Sequence, residues 1–280
     1  MSDDPRLDRD IAVHYELGVE RTRLATHFRL ELVRTREMLG HYLPPPPATV
    51  FDIGGGTGAY ALLLADDGYE VHLLDPVELH VREASDAWAR RAGSACGSGG
   101  LAQAVVGDAR DLPFQDASAA AVLLLGPLYH LTRREDRLLA LREAFRVLGP
   151  DGTVIAAGIS AFASTYDGLV RGFLTEPGFE EIVERDVREG QHRNPSGRPD
   201  RFTTAFFHRP EELREELQDA GFAVEALLAV EGPGTSLRDV DDWLDDPQRR
   251  EALLRAIRRV EAEASVLGAS AHLLAVGRRP

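Results

Sequence analysis

The chain of 280 residues contains no lysine, and all 32 of its basic residues are arginine. Codon bias in a GC-rich genome accounts for this, but the chemical consequence stands. A P-loop lysine, a Schiff base, a pyridoxal phosphate anchor and a lysine general base are all excluded. Cysteine is nearly absent. Cys96 stands alone in AGSACGSGG, residues 92–100, so neither an internal disulfide framework nor a cysteine metal site can form. No apolar run reaches membrane-spanning length. The N-terminus, MSDDPRLDRD, lacks the apolar stretch of a signal peptide. A soluble cytoplasmic protein without a membrane partner is expected. Basic charge is also in deficit: 46 acidic residues give a net charge of −14. A polyanion such as DNA or RNA is repelled on average, because phosphate neutralisation dominates nucleic-acid affinity. A local arginine patch could still override that average.

What is present describes an α/β chain. The apolar fraction of 44% supports a packed core. Residues 6–43 place Leu17, Leu24, Phe28, Leu32, Val33 and Leu39 at helical spacing, which predicts two helices ended by PPPP at 44–47. TVFDI, YEVHLLD, AQAVVGD, AAVLLLG and GTVIAAGI then read as five strands, with helical patterns between most of them. Such alternation means a parallel sheet covered on both faces. It stops after residue 160. Residues 161–205 read as helices and loops with scattered aromatics, then RPEELREELQDAGFAVEALLAV resumes the rhythm and AHLLAVGRR supplies a last strand. The expected division is an N-terminal helical cap (1–43), a nucleotide-binding core (44–160), an inserted lid or dimer contact (161–205) and the C-terminal part of the core (206–280). Long additions over strand ends usually act as lids.

VFDIGGGTGAY, residues 50–60, has the form of a strand feeding a tight turn under a nucleotide. Gly54, Gly56 and Ala59 fit the dinucleotide pattern of nicotinamide enzymes. They fit the glycine loop that holds S-adenosylmethionine equally well. Open α/β sheets bind ligands at the carboxyl ends of their strands. Asp75 ends the second strand, where an acid suits hydrogen bonding to ribose hydroxyls. The third strand ends in GDARDLPF, residues 107–114. There Asp108 can accept from an adenine amino group, with the backbone of Ala109 facing the ring.

In order, VFDIGGGTG, LLDP, GDARDLPF, and AAVLLLGPLYHL followed by LREAFRVLGPDGTVI resemble the motifs of the class I S-adenosylmethionine-dependent methyltransferases. The resemblance covers residues 50–160 well and 206–278 more loosely. It implies a Rossmann-like sheet, mostly parallel with the last strand antiparallel, and helices on both faces. It implies S-adenosylmethionine as cofactor and S-adenosylhomocysteine as product. By the same resemblance Gly54, Gly55 and Gly56 approach the amino-acid end of the cofactor, Asp75 and Pro76 the ribose, and Asp108 and Ala109 the adenine. Leu125 and Gly126 offer carbonyls to its ammonium, and Tyr15 caps it from an N-terminal helix. Asp52 is expected to organise the loop through its amides.

The cofactor brings its own electrophile, so the protein must align a nucleophile and exclude water. An alcohol or ammonium acceptor also needs a base, whereas a carboxylate or thiolate can do without one. Tyr129 and His130, in GPLYHL, are the candidate bases or orienters. The Asn/Asp-Pro-Pro-Tyr pattern of amide- and base-nitrogen methylation is missing. Among the other histidines, His208 is expected at a helix start and His272 in a strand. His14 neighbours Tyr15. His192 lies in QHRNPSGRPD, a solvated loop or the lip of a lid in which Arg193 or Arg198 reads an acidic substrate. No His/Asp/Glu grouping has metal-ligand spacing, so no metal is expected. The expectation is methyl transfer to a small-molecule acceptor, with a homodimer as an option. The alternatives are a non-catalytic binder of the cofactor or its product, an RNA methyltransferase and a nicotinamide dehydrogenase. The last is weakened because a Tyr-x-x-x-Lys pair cannot be built without lysine.

Overall fold

The computed structural model describes residues 10, 11, 15, 28–92 and 99–280. Nine strands form a mixed sheet: β1 (Thr49–Ile53), β2 (Glu70–Asp75), β3 (Gly100–Val106), β4 (Ala119–Leu124), β5 (Leu148–Ser160), β6 (Gln191–His192), β7 (Ala205–His208), β8 (Ala223–Ala229) and β9 (His272–Arg278). The order runs β3-β2-β1-β4-β5, all parallel, and then β9 and β8. β9 is antiparallel to both β5 and β8. The helices are α1 (Arg29–Tyr42), α2 (Ala59–Asp66), α3 (Glu78–Ala92), α4 (Pro127–His130), α5 (Arg134–Val147), α6 (Ala163–Arg171), α7 (Phe179–Glu189), α8 (Pro210–Asp219), α9 (Val240–Asp245), α10 (Pro247–Arg258) and α11 (Ala264–Leu267).

The central parallel strands β1 and β4 and the second half of β5 are mostly apolar because both of their faces are covered, whereas the edge strand β3 is partly exposed. Phe51, Ile53, Val122, Leu124, Val154 and Ala156 pack to one side, against α5 and α8. Their neighbours Val50, Ala121, Leu123 and Ile155 pack to the other, against α1, α2 and α3. α1 is tied to the end of β8 by the buried Arg34, which donates to the Val230 carbonyl at 3.2 Å and pairs with Glu37 and Glu261. The first predicted N-terminal helix lies mostly outside the described residues, as do His14 and Cys96; Asp10, Ile11 and Tyr15 are helical.

The structure corrects the predicted insertion. It contains strands as well as helices. β7 pairs in parallel with the end of β5, Phe207 beside Ile159 and His208 beside Ser160. His272 of β9 occupies the other edge at Ile159. β7 therefore continues the edge that β4 occupies lower down, beyond the last β4 pairing of Leu124 with Ala156. β6 pairs antiparallel to β7. The insertion thus returns to the sheet directly beyond the carboxyl end of β4, where α4 begins. Tyr129 of α4 shares an apolar cluster with Ile159, Ala161, Ala205 and Phe207, with Phe202 packed on it. AFFH was missed as a strand because it is too short to display a period.

Candidate active site

The loop after β1 is shaped by its glycines and by the end of β2. Gly54 and Gly56 adopt φ of +70° and +56°, a region that side chains with a Cβ resist. The Gly54 and Gly55 amides donate to the Leu74 carbonyl at 2.6 and 3.3 Å. The Gly56 amide donates to Asp75 Oδ2 at 2.8 Å. Asp75 Oδ1 accepts from the Val77 amide at 2.9 Å and faces His80 Nδ1 at 3.0 Å. Asp75, not Asp52, is therefore the carboxylate that organises the loop.

Asp52 corrects its expected role. It is 1% exposed, and neither of its carboxylate oxygens has a donor in hydrogen-bond geometry, although the Ala61 backbone N–H is near enough to favour the charged form. The loop amides turn toward β2 instead. Burial, and secondarily the charge of Asp75, pushes the Asp52 carboxyl up to about 7.

Beyond the strand ends lies a cleft of about 1070 Å³, open mouth included. It gathers Tyr15, Gly54, Gly55, Gly56, Asp75, Pro76, Asp108, Ala109, Leu125, Gly126, Tyr129 and His130, which were predicted from four separate strand ends and an N-terminal helix. Three carboxylates line it, those of Asp52, Asp75 and Asp108, and no arginine does among the described residues. The three carboxylates are not equivalent: Asp108 is charge-paired with Arg110, Asp75 faces His80, and Asp52 alone has no such side-chain partner among the described residues. The Asp108 carboxylate is clasped by Arg110, with Nη2 to Oδ2 at 2.6 Å and Nε to Oδ1 at 3.0 Å. Both of its oxygens thus already accept, which leaves fewer lone pairs for an adenine amino group than the sequence suggests.

At the mouth, α4 is a single turn opened by Pro127. Tyr129 donates to the Leu125 carbonyl at 3.3 Å. The hydroxyl of Tyr15 and Nε2 of His130 are hydrogen-bonded at 2.5 Å, with the rings edge to face. On its other side the His130 ring meets Phe202 at 5.7 Å and 31°. Tyr15 also sits edge-on to His80 at 5.2 Å. His80 lines the cleft and orients Asp75, and sequence reasoning missed it. Its signal was the position five residues after a strand-end aspartate, on the first turn of α3.

The remaining predicted residues lie elsewhere. His192 is not in a solvated loop: it is 2% exposed in β6. Its Nδ1 faces Asp186 at 2.8 Å and its Nε2 faces the Arg201 carbonyl at 2.9 Å. The run QHRNPSGRPD is polar because its groups bond one another. Arg193 bonds Gln191 and the His192 carbonyl, and Arg198 pairs with Glu176 and Asp200, so neither faces the cleft. His208 precedes α8 as expected but is fully buried against Glu216. His272 opens β9. With Glu31 and Glu231 it forms the one grouping among the described residues whose ligand atoms lie within 4.8 Å of one another. In it His272 Nδ1 is 2.5 Å from Glu231 Oε1, and Glu231 Oε2 accepts from the Ser270 hydroxyl and the His272 amide. The sequence pattern shows no such grouping, because its members come from α1, the end of β8 and β9 and meet only in the fold.

A Rossmann-like sheet with a glycine loop at the carboxyl ends of its strands defines the class of nucleotide-cofactor-binding folds. Residues 51–156 match the family model described as a methyltransferase domain. A malonyl-[acyl-carrier protein] O-methyltransferase of Geobacter sulfurreducens is 35% identical over 216 residues, 77% of this chain and 67% of that protein. The chain belongs to the class I S-adenosylmethionine-dependent methyltransferases. Among solved structures, an S-adenosylmethionine-dependent methyltransferase of Methanosarcina mazei superposes with a TM-score of 0.60 at 20% identity, covering 86% of this chain and 96% of its own. The [4+2]-cyclase SpnF superposes at 0.55 and 19% identity, covering 88% and 81%. At those identities the likeness is one of fold. No helix among the described residues is long and apolar enough to cross a membrane.

Proposed function

We propose that this methyltransferase acts on a small-molecule acceptor bound between the end of β4 and the Tyr129–His130 turn. The observation that carries the reading is the Tyr15–His130 hydrogen bond, which joins the N-terminal helical segment to α4 across the cleft. Tyr129 and the Phe202-bearing insertion stand behind it. Such an aromatic closure leaves room for a small acceptor rather than a polymer. The net charge of −14 and the acidic cleft also disfavour RNA.

The cleft fits S-adenosylmethionine chemically. Asp52 presents a buried carboxylate without a hydrogen-bond partner, which a cofactor ammonium would satisfy together with the Leu125 and Gly126 carbonyls. The glycines leave space for the amino-acid end. Asp75, fixed by His80, would meet the ribose, and Ala109 beside Asp108 the adenine. When bound, the cofactor supplies an electrophilic sulfonium methyl. The chain's own part is to align the acceptor, exclude water and hold its proton. For a hydroxyl or amine acceptor, His130 takes that proton on Nδ1 while its Nε2–H donates to the Tyr15 oxygen.

The Geobacter sulfurreducens relative favours a second reading, a carboxylate acceptor on a carrier thioester. A carboxylate is already a nucleophile, and His130 would then only orient it. One experiment tests both. The full chain is incubated with S-adenosylmethionine and phenols, amines, small carboxylates and malonyl thioesters, and S-adenosylhomocysteine release is measured for wild type and His130→Gln. Turnover of a phenol or amine that collapses in the variant supports the first reading. Turnover confined to carboxylates and surviving the variant supports the second.

A further inference from the structure

We propose that Phe202 is a positioning residue for His130, held in place by the buried chain Ser164–Asp186–His192. The inference rests on the reading that His130 faces the acceptor.

Phe202 has φ of +60° and ψ of −173°, a combination that belongs almost entirely to glycine. A phenylalanine persists there only if its surroundings impose it. The carbonyls on both sides of that strained φ and ψ are tied down. His192 Nε2 donates to the Arg201 carbonyl at 2.9 Å, and Asn194 Nδ2 donates to the Phe202 carbonyl at 2.7 Å. His192 is fixed in turn by Asp186 at 2.8 Å and by stacking on Phe207 at 4.5 Å and 11°. Asp186 is fully buried and also accepts from the Ser164 hydroxyl at 2.6 Å.

This Ser/Asp/His set is not a nucleophilic triad. The serine bonds the aspartate rather than the histidine, and both histidine nitrogens face oxygens. None of the three lines the cleft. Their polar chain ends on the backbone of Phe202, and that is the work it does.

What the strain delivers is a ring against His130 at 5.7 Å and against Tyr129 at 6.2 Å. The single turn of α4 is too short to fix a side chain by itself. His130 is instead gripped between Tyr15, from the N-terminal helical segment, and Phe202, from the insertion. A glycine at 202 would remove the strain, so a phenylalanine there serves the ring.

The test reads the histidine rings by long-range 1H–15N spectra of the full-length protein with S-adenosylhomocysteine bound; the His130→Gln spectrum assigns His130. In wild type we expect one sharp His130 set with a single tautomer. In Phe202→Gly that set broadens toward a tautomer average, while S-adenosylhomocysteine affinity stays within about twofold. Phe202→Tyr keeps the wild-type set. An unchanged His130 set in Phe202→Gly, or an equal change in Phe202→Tyr, overturns the inference. If Phe202→Gly does not fold, Asn194→Ala decides, since it frees the Phe202 carbonyl, and with it only the exposed Arg198 carbonyl and Ser196 hydroxyl, while leaving the Phe202 ring in place: a broadened His130 set supports the inference and an unchanged one overturns it. Methyl transfer surviving His130→Gln would sink the acceptor reading separately, leaving the spectra to judge the positioning.

Discussion

Asp52 and Asp75 stand at the ends of adjacent strands and face one cleft, and their carboxylates are opposites. Asp75 is held by two loop amides and by His80. Asp52 is equally buried and has no hydrogen-bond partner, with only the Ala61 backbone N–H nearby. One carboxylate builds the loop and the other does not, which is why we assign the second to the cofactor ammonium. Two buried acids so close cannot both carry charge without help, which is why the unpartnered one is the one pushed up.

The charge on Asp52 is therefore linked to cofactor binding. An aspartate in the unfolded chain ionises at about 3.9, whereas Asp52 holds its proton up to about 7. Between these values the folded state binds the extra proton, so apo stability falls as pH rises from about 4 to about 7. A cation bound beside Asp52 must expel that proton. Affinity for S-adenosylmethionine should then drop as pH falls below about 7, by up to about tenfold per pH unit. Calorimetric titration in buffers of different ionisation heat would detect the released proton. The pH dependence should vanish in Asp52→Asn, and a flat wild-type profile would refute the linkage.

Asp75→Ala should cost both stability and binding. It strips acceptors from two buried amides and from His80, at about 1–3 kcal/mol for each group left unsatisfied. Titration with S-adenosylhomocysteine should show at least ~10-fold weaker binding, and NAD should bind neither protein. Wild-type affinity retained in the variant would mean that Asp75 only builds the loop.

The sequence made the cofactor half of the site legible because strand-end residues are fixed by topology. Once VFDIGGGTG, LLDP and GDARDLPF are read as strand ends, the parallel sheet must bring Gly54, Asp75 and Asp108 together. Roles were harder than places. The exchange of duties between Asp52 and Asp75 depends on which way the loop amides turn, and no residue pattern encodes that. His192 was misread because burial is invisible in a polar run whose groups satisfy one another. Phe202 came into view as an aromatic of the insertion, but its left-handed backbone is a property of the fold.

Gly54 and Gly40 offer a matched comparison. A methyl on Gly54 would sit 2.8 Å from Pro127 Cδ, at a φ of +70°. Gly54→Ala should lose at least ~1–2 kcal/mol from the left-handed backbone alone. It should also push α4 away from the cleft and weaken cofactor binding. A methyl on Gly40, within α1, meets nothing within 4 Å. Gly40→Ala should gain roughly 0.5–1 kcal/mol with binding unchanged. Thermal melts with and without S-adenosylhomocysteine distinguish the two, and equal effects would refute the assignment of the loop.

The turn that carries Tyr129 and His130 is anchored from below by a buried ion pair. Arg137 donates from Nε and Nη2 to Glu216 at 2.7–3.0 Å, and from Nη1 to the Leu131 carbonyl at 2.9 Å. Removing one partner strands a buried charge. Glu216→Ala should therefore cost ~3–5 kcal/mol, a fall in Tm of very roughly 6–20 °C for a chain of this size. An apolar pair of similar volume, Arg137→Met with Glu216→Leu, should recover most of that loss, yet leave Leu131 unanchored and turnover reduced. Burial alone would raise the Glu216 carboxyl, but hydrogen bonds from His208 and Arg137 outweigh it and hold Glu216 below its usual range. Burial holds His208 below its own usual range. Both groups then resist protonation in the folded state. Stability should decline as pH falls through about 6.5, where an unfolded histidine takes its proton, and again below about 4.3 for the carboxyl. Asp52 acts in the opposite sense over part of that window, so the melts belong in an Asp52→Asn background. A Tm there that holds steady from pH 7 to 5 would show that His208 is not held neutral by burial, and a Glu216→Ala variant as stable as wild type would show that the pair does not anchor the turn.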